Sequence, residues 1–192
     1  MRNQIFLALL AVLVFSTTSF GQQLNPERSK IQWTANKVTG SHTGTLSISK
    51  GELSFNNQVL TGADFVIDMN TINTTDLTGE WKEKLDGHLK NEDFFDVKNF
   101  PTASFSATKI VSRGTPGDYK VIGIINIKGI KKEIKFNAHV DMDAKGLYTA
   151  TAKLILDRTD YDIKYGSGSF FDDLGDKTIY DEFELDIVLA SK

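Results

Sequence analysis

Apolar and polar residues alternate along most of this chain. Successive side chains of a β-strand point to opposite faces, so strict alternation indicates strands with one buried face and one wet face. The odd positions from Ala63 to Met69 are apolar, for example, whereas Asp64 and Asp68 between them are charged. Eight such segments predict eight strands, near residues 30–38, 43–55, 59–69, 103–111, 118–128, 131–141, 146–156 and 180–190.

Turn-forming residues separate these segments, and most of the connections are short. The pair Lys128-Gly129, for instance, favours a tight turn, and short turns join neighbouring antiparallel strands. Two connections are longer, at residues 70–102 and 157–179. There is no internal repeat and no proline-rich linker, so we predict an antiparallel meander in a single domain.

The first long connection carries a helical pattern. Trp81, Leu85 and Leu89 recur every four residues, which places them on one side of a helix and leaves charged residues on the other sides. Phe94 and Phe95 follow closely, and large apolar side chains in a loop need a surface to cover them. We therefore predict a short helix that packs across the strands as a lid.

The strand pattern alone leaves the architecture open between a sandwich with a solid core and a closed barrel. About eight strands is the size at which a barrel is filled by side chains or holds one small ligand. An outer-membrane barrel is a third alternative, but its outer face would be an apolar band. Here the outer positions carry charged residues such as Asp64, Glu133, Lys135 and Glu184, which belong in water.

The N-terminus is typical of a secretory signal peptide. Arg2 supplies a positive charge, residues 5–15 are almost wholly apolar, and Ser19 and Gly21 are small residues at the positions that a signal peptidase reads. An uncleaved anchor is the alternative, but the apolar run is shorter than the ~20 residues that span a bilayer. We predict a signal peptide over residues 1–21, a mature domain over 22–192, and a periplasmic or secreted protein.

Composition limits the chemistry. The chain has no cysteine, so it forms no disulfide, and it has 22 basic against 25 acidic residues, which gives no electrostatic footprint for nucleic acid. No G-x-S-x-G motif occurs, and the three histidines show no zinc-binding spacing. The acidic cluster at residues 172–182 lacks the spacing of a calcium loop and is interpreted as a solvated turn. We expect no catalysis, no metal site and no cofactor.

Five segments of the chain resemble motifs of the YceI-like family of periplasmic lipid-binding proteins, and they occur in the family's order. They are G-S-H-T-G at 40–44, I-N-T-T-D at 72–76, the stretch at 85–105, I-K-G-I-K-K at 127–132 and D-R-T-D-Y-D-I at 157–163. The resemblance implies an all-β fold: an extended, eight-stranded, antiparallel, lipocalin-like barrel with an apolar tunnel. The short helix of the 70–102 connection would pack across it.

Three polar residues are candidates for contact with a ligand's head group. His42 lies between two glycines, where its ring can face the barrel mouth or hold its own turn together. His88, at the edge of the apolar stripe, can pin the helix or reach a ligand. Arg158 can clamp an anion or be neutralised by neighbouring carboxylates, and Asp162, where the family often has glycine, disfavours an anionic ligand.

The apolar residues expected to line the tunnel come from the strands and from both long connections. They are Trp33, Phe65, Ile67, Trp81, Leu85, Leu89, Phe94, Phe105, Val121, Ile125, Phe136, Leu154, Phe170 and Phe171. We interpret the protein as a non-catalytic carrier or store of a long-chain amphiphile, such as a polyisoprenoid or an isoprenoid quinone. The expected partner is therefore a lipid, with transient membrane contact, and a homodimer is left open. The alternative is a secreted structural or protein-interaction module with a solid core.

Overall fold

The computed structural model describes residues 19–192, and the fold is built almost entirely from antiparallel strands. The strands are β1 (Ser19–Gln23), β2 (Lys30–Lys37), β3 (Gly40–Asn56), β4 (Val59–Thr74), β5 (Thr102–Ser112), β6 (Asp118–Ile127), β7 (Ile130–Met142), β8 (Tyr148–Asp157) and β9 (Ile179–Ala190). One α-helix, α1 (Gly79–Lys90), joins β4 to β5. Two short 3₁₀ helices, Arg158–Tyr161 and Gly175–Lys177, lie between β8 and β9.

Strands β2 to β9 form a closed barrel. Each pairs with its neighbour in the order β3-β2-β9-β8-β7-β6-β5-β4, and β4 pairs again with β3 to close the ring. The prediction of an eight-stranded antiparallel barrel with one short helix is confirmed. All eight predicted strands are present, and β4 extends five residues past its predicted end at Met69.

Strand β1 is an addition to the predicted set. It pairs with the last part of β3, where Phe20 lies opposite Phe55 and the two rings stack at 6.0 Å. The predicted cleavage after Gly21 falls inside this strand and would leave only its last two residues. The rest of the predicted signal peptide, residues 1–18, lies outside the described part of the chain, and cleavage stays a prediction.

Alternation along the strands determines which residues face the interior. In β6, for example, Tyr119, Val121, Ile125 and Ile127 are all buried, as the odd-position pattern predicts. The connection to β7 is the tight turn predicted at Lys128-Gly129, where both residues have positive φ angles, as a two-residue hairpin turn requires. The inward faces of all eight barrel strands thus meet in one core.

The helix α1 packs on the end of β4, but its orientation differs from the prediction. Asp86 accepts a hydrogen bond from the backbone amide of Thr74 at 2.8 Å, so the face that carries Asp86 and Leu89 turns toward the barrel. Trp81 precedes Asp86 by five positions, which places it about 140° from Asp86 around the helix axis. Its side chain is 71% exposed.

Within residues 19–192, no helix is long and apolar enough to cross a membrane.

Candidate functional site

An apolar cavity of about 90 Å³ lies inside the barrel beneath α1. The strands β2, β3, β4, β5, β6 and β9 form its walls, and side chains from α1 and from both long connections cover it. Its lining residues are Trp33, Ala35, Leu46, Ile67, Met69, Ile72, Leu89, Phe94, Phe95, Ala103, Ile125, Ile127, Arg158, Ile163, Ile179, Tyr180, Phe183 and Leu185. We call this the upper cavity.

A second apolar cavity, of about 30 Å³, lies further along the barrel axis and is called here the lower cavity. On β4, β5, β6 and β9 the nearest lining residues of the two cavities lie two to four positions apart: β5, for example, contributes Ala103 to the upper cavity and Phe105 to the lower one. The two cavities therefore lie in series along one axis, on the line of the predicted tunnel.

A row of three phenylalanines lines the lower cavity. The ring of Phe105 lies 5.4 Å from those of both Phe65 and Phe136, measured between centroids. Gly123 on β6 makes room for Phe105, because a Cβ at this position would lie 2.4 Å from the Phe105 ring. These three rings thus occupy part of the interior beside the lower cavity.

Most of the predicted tunnel residues lie at these cavities. Trp33, Ile67, Leu89, Phe94 and Ile125 line the upper cavity, and Phe65, Phe105, Val121 and Phe136 line the lower one. Leu154 is buried in the surrounding core, and Leu85 is half-buried on α1.

Trp81, Phe170 and Phe171 do not line either cavity. Phe170 and Phe171 are each 50% exposed, in the loop before β9, and the Lys164 ammonium lies 5.1 Å from the Phe170 ring. The loop turns at Ser167, whose carbonyl accepts the amides of both phenylalanines and which is itself fully buried. Because the serine of this turn is buried, the two rings lie on its outer side. The expected tunnel contact is therefore absent for Phe170 and Phe171, and it is also absent for the exposed Trp81.

Arg158 lies beside the upper cavity, but its guanidinium is fully used within the protein. Nε donates to the carbonyl of Tyr180 at 3.1 Å, and Nη1 donates to those of Ile163 and Tyr165 at 2.8 and 2.9 Å. Nη2 donates to Ile179 O at 2.9 Å and to Asp181 Oδ1 at 3.2 Å.

All of the guanidinium N–H groups are thereby paired. Arg158 has no donor left for a ligand, so the structure assigns it the role of joining the connection after β8 to the start of β9. Arg158 therefore has no free N–H group with which to make the predicted contact with a ligand's head group. Burial lowers the pKa of Arg158 from its ordinary value, and the Asp181 carboxylate opposes that shift.

The end of the barrel that α1 covers is called here the covered end. His42 is at its rim and is bonded to the chain segment that leads into α1. Its Nδ1 lies 2.8 Å from Asp76 Oδ2, and the Thr43 amide donates to Asp76 Oδ1 at 2.9 Å. Partial burial alone would raise the pKa of Asp76, but the hydrogen bonds from Thr43 and His42 outweigh burial and lower it. His42 pairs with Ala35, a lining residue, so it shares the inward parity.

His88 packs among aromatic rings of the cover. Its ring centroid is 4.8 Å from that of Phe94 and 4.5 Å from that of Tyr165, both in edge-to-face geometry. Asp93 lies 3.9 Å from Nδ1. These contacts join α1 to Phe94 of its own connection and to Tyr165 of the connection before β9, which is the pinning role weighed for His88 in the sequence.

Sequence reasoning missed Thr74, which is fully buried at the covered end. The alternation that marks β4 is interrupted after Asp68: Ser47 pairs with Asp68 and Thr45 with Asn73, so the register jumps between them. The predicted strand therefore ended at Met69, and the inward parity of Ile72 and Thr74 was hidden. Only the pairing with β3 reveals it.

Within residues 19–192 no group of three or more His, Cys, Asp or Glu side chains could hold a metal ion.

A family model described as the YceI-like domain matches residues 22–190. The UPF0312 protein of Shewanella oneidensis is 26% identical over 179 residues, which cover 88% of this chain and 91% of that protein.

Two solved structures share the fold. BcnA of Burkholderia cenocepacia superposes with a TM-score of 0.70 at 19% identity and covers 88% of this chain and 99% of that one. A polyisoprenoid binding domain from Saccharophagus degradans, described as implicated in plant cell wall breakdown, superposes with a TM-score of 0.67 at 16% identity. It covers 92% of this chain and 99% of that domain, and at these identities the likeness concerns the fold.

Proposed function

Because the chain belongs to the YceI-like family, we propose that it binds a long-chain amphiphilic lipid inside the barrel and carries or stores it without catalysis. The polyisoprenoid binding domain of Saccharophagus degradans supports a polyisoprenoid or isoprenoid quinone as the class of ligand. The signal-peptide pattern supports a periplasmic or secreted location.

The observation that carries this proposal is the upper cavity. It is enclosed by a closed barrel, it is lined almost wholly by apolar side chains, and a second apolar cavity continues along the same axis. Each methylene group that moves from water into such a space contributes about 0.8 kcal/mol. A chain of ten or more methylene equivalents would therefore bind tightly with few hydrogen bonds.

A long chain needs more room than the two cavities offer together. Sites for drug-sized ligands are commonly about 300–1,000 Å³, whereas the cavities measure about 90 and 30 Å³. We propose that the ligand chain takes the place now filled by the rings of Phe65, Phe105 and Phe136, which turn aside on binding. The apolar ligand would then replace the dispersion contacts that the rings lose when they change rotamer.

The test is to fill the upper cavity. Ile125→Trp adds volume where the chain would lie, and we expect much less lipid to co-purify with this variant from the native host, measured by organic extraction and mass spectrometry. Ile124→Trp is the matched control, since Ile124 is the preceding residue on the opposite face of β6. Equal lipid content in the wild type and both folded variants would refute the proposal.

The small cavity volumes also favour a second candidate function, a secreted structural or protein-interaction module with a solid core. In that case extraction of the natively purified wild type would yield no stoichiometric lipid, and Ile125→Trp would only lower stability by overpacking, typically by about 1–3 kcal/mol.

Transient contact with a membrane completes the proposal, because a lipid carrier must load and unload. The exposed Trp81, Phe170 and Phe171 are large amphipathic or apolar groups in the two connections that reach the covered end. Co-sedimentation with lipid vesicles should fall for the Trp81→Ala variant relative to wild type. A homodimer stays a prediction.

A further inference from the structure

Trp33, Gly44 and Thr74 lie side by side on three neighbouring strands at the covered end of the barrel. Trp33 of β2 pairs with Gly44 of β3, and Gly44 pairs with Thr74 of β4. Directly paired residues of antiparallel strands point to the same face. Leu46 and Ile72, two positions from Gly44 and Thr74 on their strands, line the upper cavity, so this row faces the interior.

Two polar groups in this row have no partner. The Trp33 side chain lines the upper cavity and is 8% exposed, and Thr74 is 1% exposed, yet Trp33 Nε1 and Thr74 Oγ1 find no hydrogen-bond partner among residues 19–192. Buried polar groups are normally paired, because leaving one unpaired costs its full desolvation. The side-chain amide oxygens of Asn56 and Asn126 are also unpaired. These two residues alternate with inward-facing neighbours along their strands, so their side chains lie on the outer face.

Gly44 brings the two groups into one neighbourhood. A Cβ on Gly44 would lie 2.3 Å from Cζ2 and 2.4 Å from Cε2 of Trp33, so the indole covers this glycine. Cε2 is bonded to Nε1, so the N–H edge lies close to Gly44, the residue that pairs with Thr74. The backbone amide of Thr74 donates to Asp86 of α1, so the helix closes over the row.

The charges around this row disfavour an anionic group. Arg158 is the charged residue among those lining the two cavities, and all its N–H groups are paired. On the same rim His42 is paired with Asp76, and Lys82 with Asp86. A buried phosphate here would lose its hydration without gaining a free cation in return.

We infer that Trp33 Nε1–H and the Thr74 hydroxyl bind the polar end of the lipid, and that this end is an uncharged group with a hydrogen-bond acceptor, such as a carbonyl oxygen. The inference rests on the proposed function and names the head-group class for the same site. The indole N–H and the Thr74 hydroxyl both donate to this acceptor. The apolar chain then runs from this row toward Phe105.

Three probes with the same number of isoprene units test the head-group class. They are an isoprenoid quinone, the isoprenyl monophosphate and the isoprenoid hydrocarbon without a head group, and their affinities for the wild-type protein are compared in one titration format. We expect the order quinone, then hydrocarbon, then monophosphate. Tighter binding of the monophosphate than of the quinone would overturn the inference.

Two variants test the residues. Trp33→Phe removes the N–H group and Thr74→Val removes the hydroxyl with little change of shape; each should weaken quinone binding about three- to tenfold relative to its effect on the hydrocarbon. Thr75→Val is the matched control, because Thr75 is the next residue and bonds instead to Thr43. An equal effect on quinone and hydrocarbon would mean that both residues only shape the cavity, and the inference would fail.

The two tryptophans of the chain allow a direct reading that needs no variant. In a ¹H–¹⁵N spectrum the indole resonance of Trp33 should move downfield with the quinone and not with the hydrocarbon, while that of exposed Trp81 serves as an internal reference. A Trp33 resonance that responds alike to both probes would contradict the hydrogen bond. If the wild type binds none of the probes, the proposed function itself is refuted, an outcome distinct from equal binding of all three.

Discussion

Among the buried polar groups that face the barrel interior, the hydroxyls at the end remote from α1 have partners within the protein, whereas two groups at the covered end have none among residues 19–192. The Tyr119 hydroxyl accepts the Leu60 amide at 3.1 Å, and Ser191 Oγ accepts the Tyr148 amide at 2.8 Å. Trp33 Nε1 and Thr74 Oγ1 are unpaired.

Packing follows the same division. At the remote end Phe55 is fully buried and stacks on Tyr148 at 3.8 Å between centroids, and the adjoining lower cavity measures about 30 Å³. The covered end contains the larger cavity, and the side of α1 that faces it has no fully buried residue. Under the proposed function, the remote end stabilises the fold, while the covered end leaves space and unpaired polar groups for the ligand.

The largest effect is expected at the remote end. Phe55→Ala removes a fully buried ring and its stacking on Tyr148, so the free energy of unfolding should fall by about 3–5 kcal/mol, measured by urea denaturation. Phe171→Ala, at a half-exposed ring, should change it by less than about 0.5 kcal/mol. Similar losses for the two variants would abolish the distinction between the remote end and the outer aromatic residues.

Arg158 is an exception to the contrast between the two ends, because it lies at the covered end and all of its N–H groups are paired. Arg158→Met leaves four backbone carbonyls and Asp181 without their donor. We expect the free energy of unfolding to fall by about 3 kcal/mol, with the affinity of the remaining folded protein for an isoprenoid quinone unchanged. A stable variant with reduced affinity for the isoprenyl monophosphate alone would instead restore the head-group role of Arg158.

The cover over the upper cavity should control release more than stability. Leu89→Ala removes a lining side chain of α1, and a fluorescent prenyl lipid should dissociate about five- to tenfold faster, equivalent to about 1–1.4 kcal/mol of lost contact. Leu85→Ala is the control, since Leu85 is half-buried on the same helix but does not line the cavity. If both variants lower the melting temperature without changing release, the helix is scaffold and not a lid.

The smallest effects concern pH, and the two ends differ in sign. At the covered end the pKa of Asp76 is below its ordinary 3.8, so its contacts with His42 and Thr43 contribute stability above that value and lose it as the pH falls through the lowered pKa. Near the remote end, hydrogen bonds to Asp118 and Asp141 raise the pKa of His139 above 6.5. That contribution is complete below pH 6.5 and is lost as the pH rises through the raised pKa.

Stability measured against pH in the Asp76→Asn and His139→Gln variants checks this contrast. Asp76→Asn should flatten the acid limb, and His139→Gln should flatten a shallow slope above pH 6.5. The effect at His139 is small because its side chain is exposed and its ion pairs are screened. Unchanged slopes in both variants would mean that neither pair contributes to folding.

The amino-acid sequence determined the eight strands and their inward faces, because alternation is a local property that each strand carries by itself. The choice of a barrel over a sandwich came from the resemblance to the YceI-like family and not from alternation. Val121, Ile125 and Phe136 face the interior as their positions predict, and the turn at Lys128-Gly129 is where the residue types require it. The sequence likewise identified the helix, although its stripe of Trp81, Leu85 and Leu89 suggested a different face toward the barrel.

Only the tertiary structure decided how the covered end is arranged. The rotation of α1 depends on the hydrogen bond between Asp86 and Thr74, and the role of Arg158 depends on carbonyls of the connection after β8 and of β9. The row of Trp33 and Thr74 depends on the pairing of strands that are separated along the chain. Such contacts follow from strand register and closure of the barrel, and the register jump before Asn73 interrupts the alternation that a sequence reveals. Local pattern determines which residues are buried, but only the folded chain determines which buried groups find a partner.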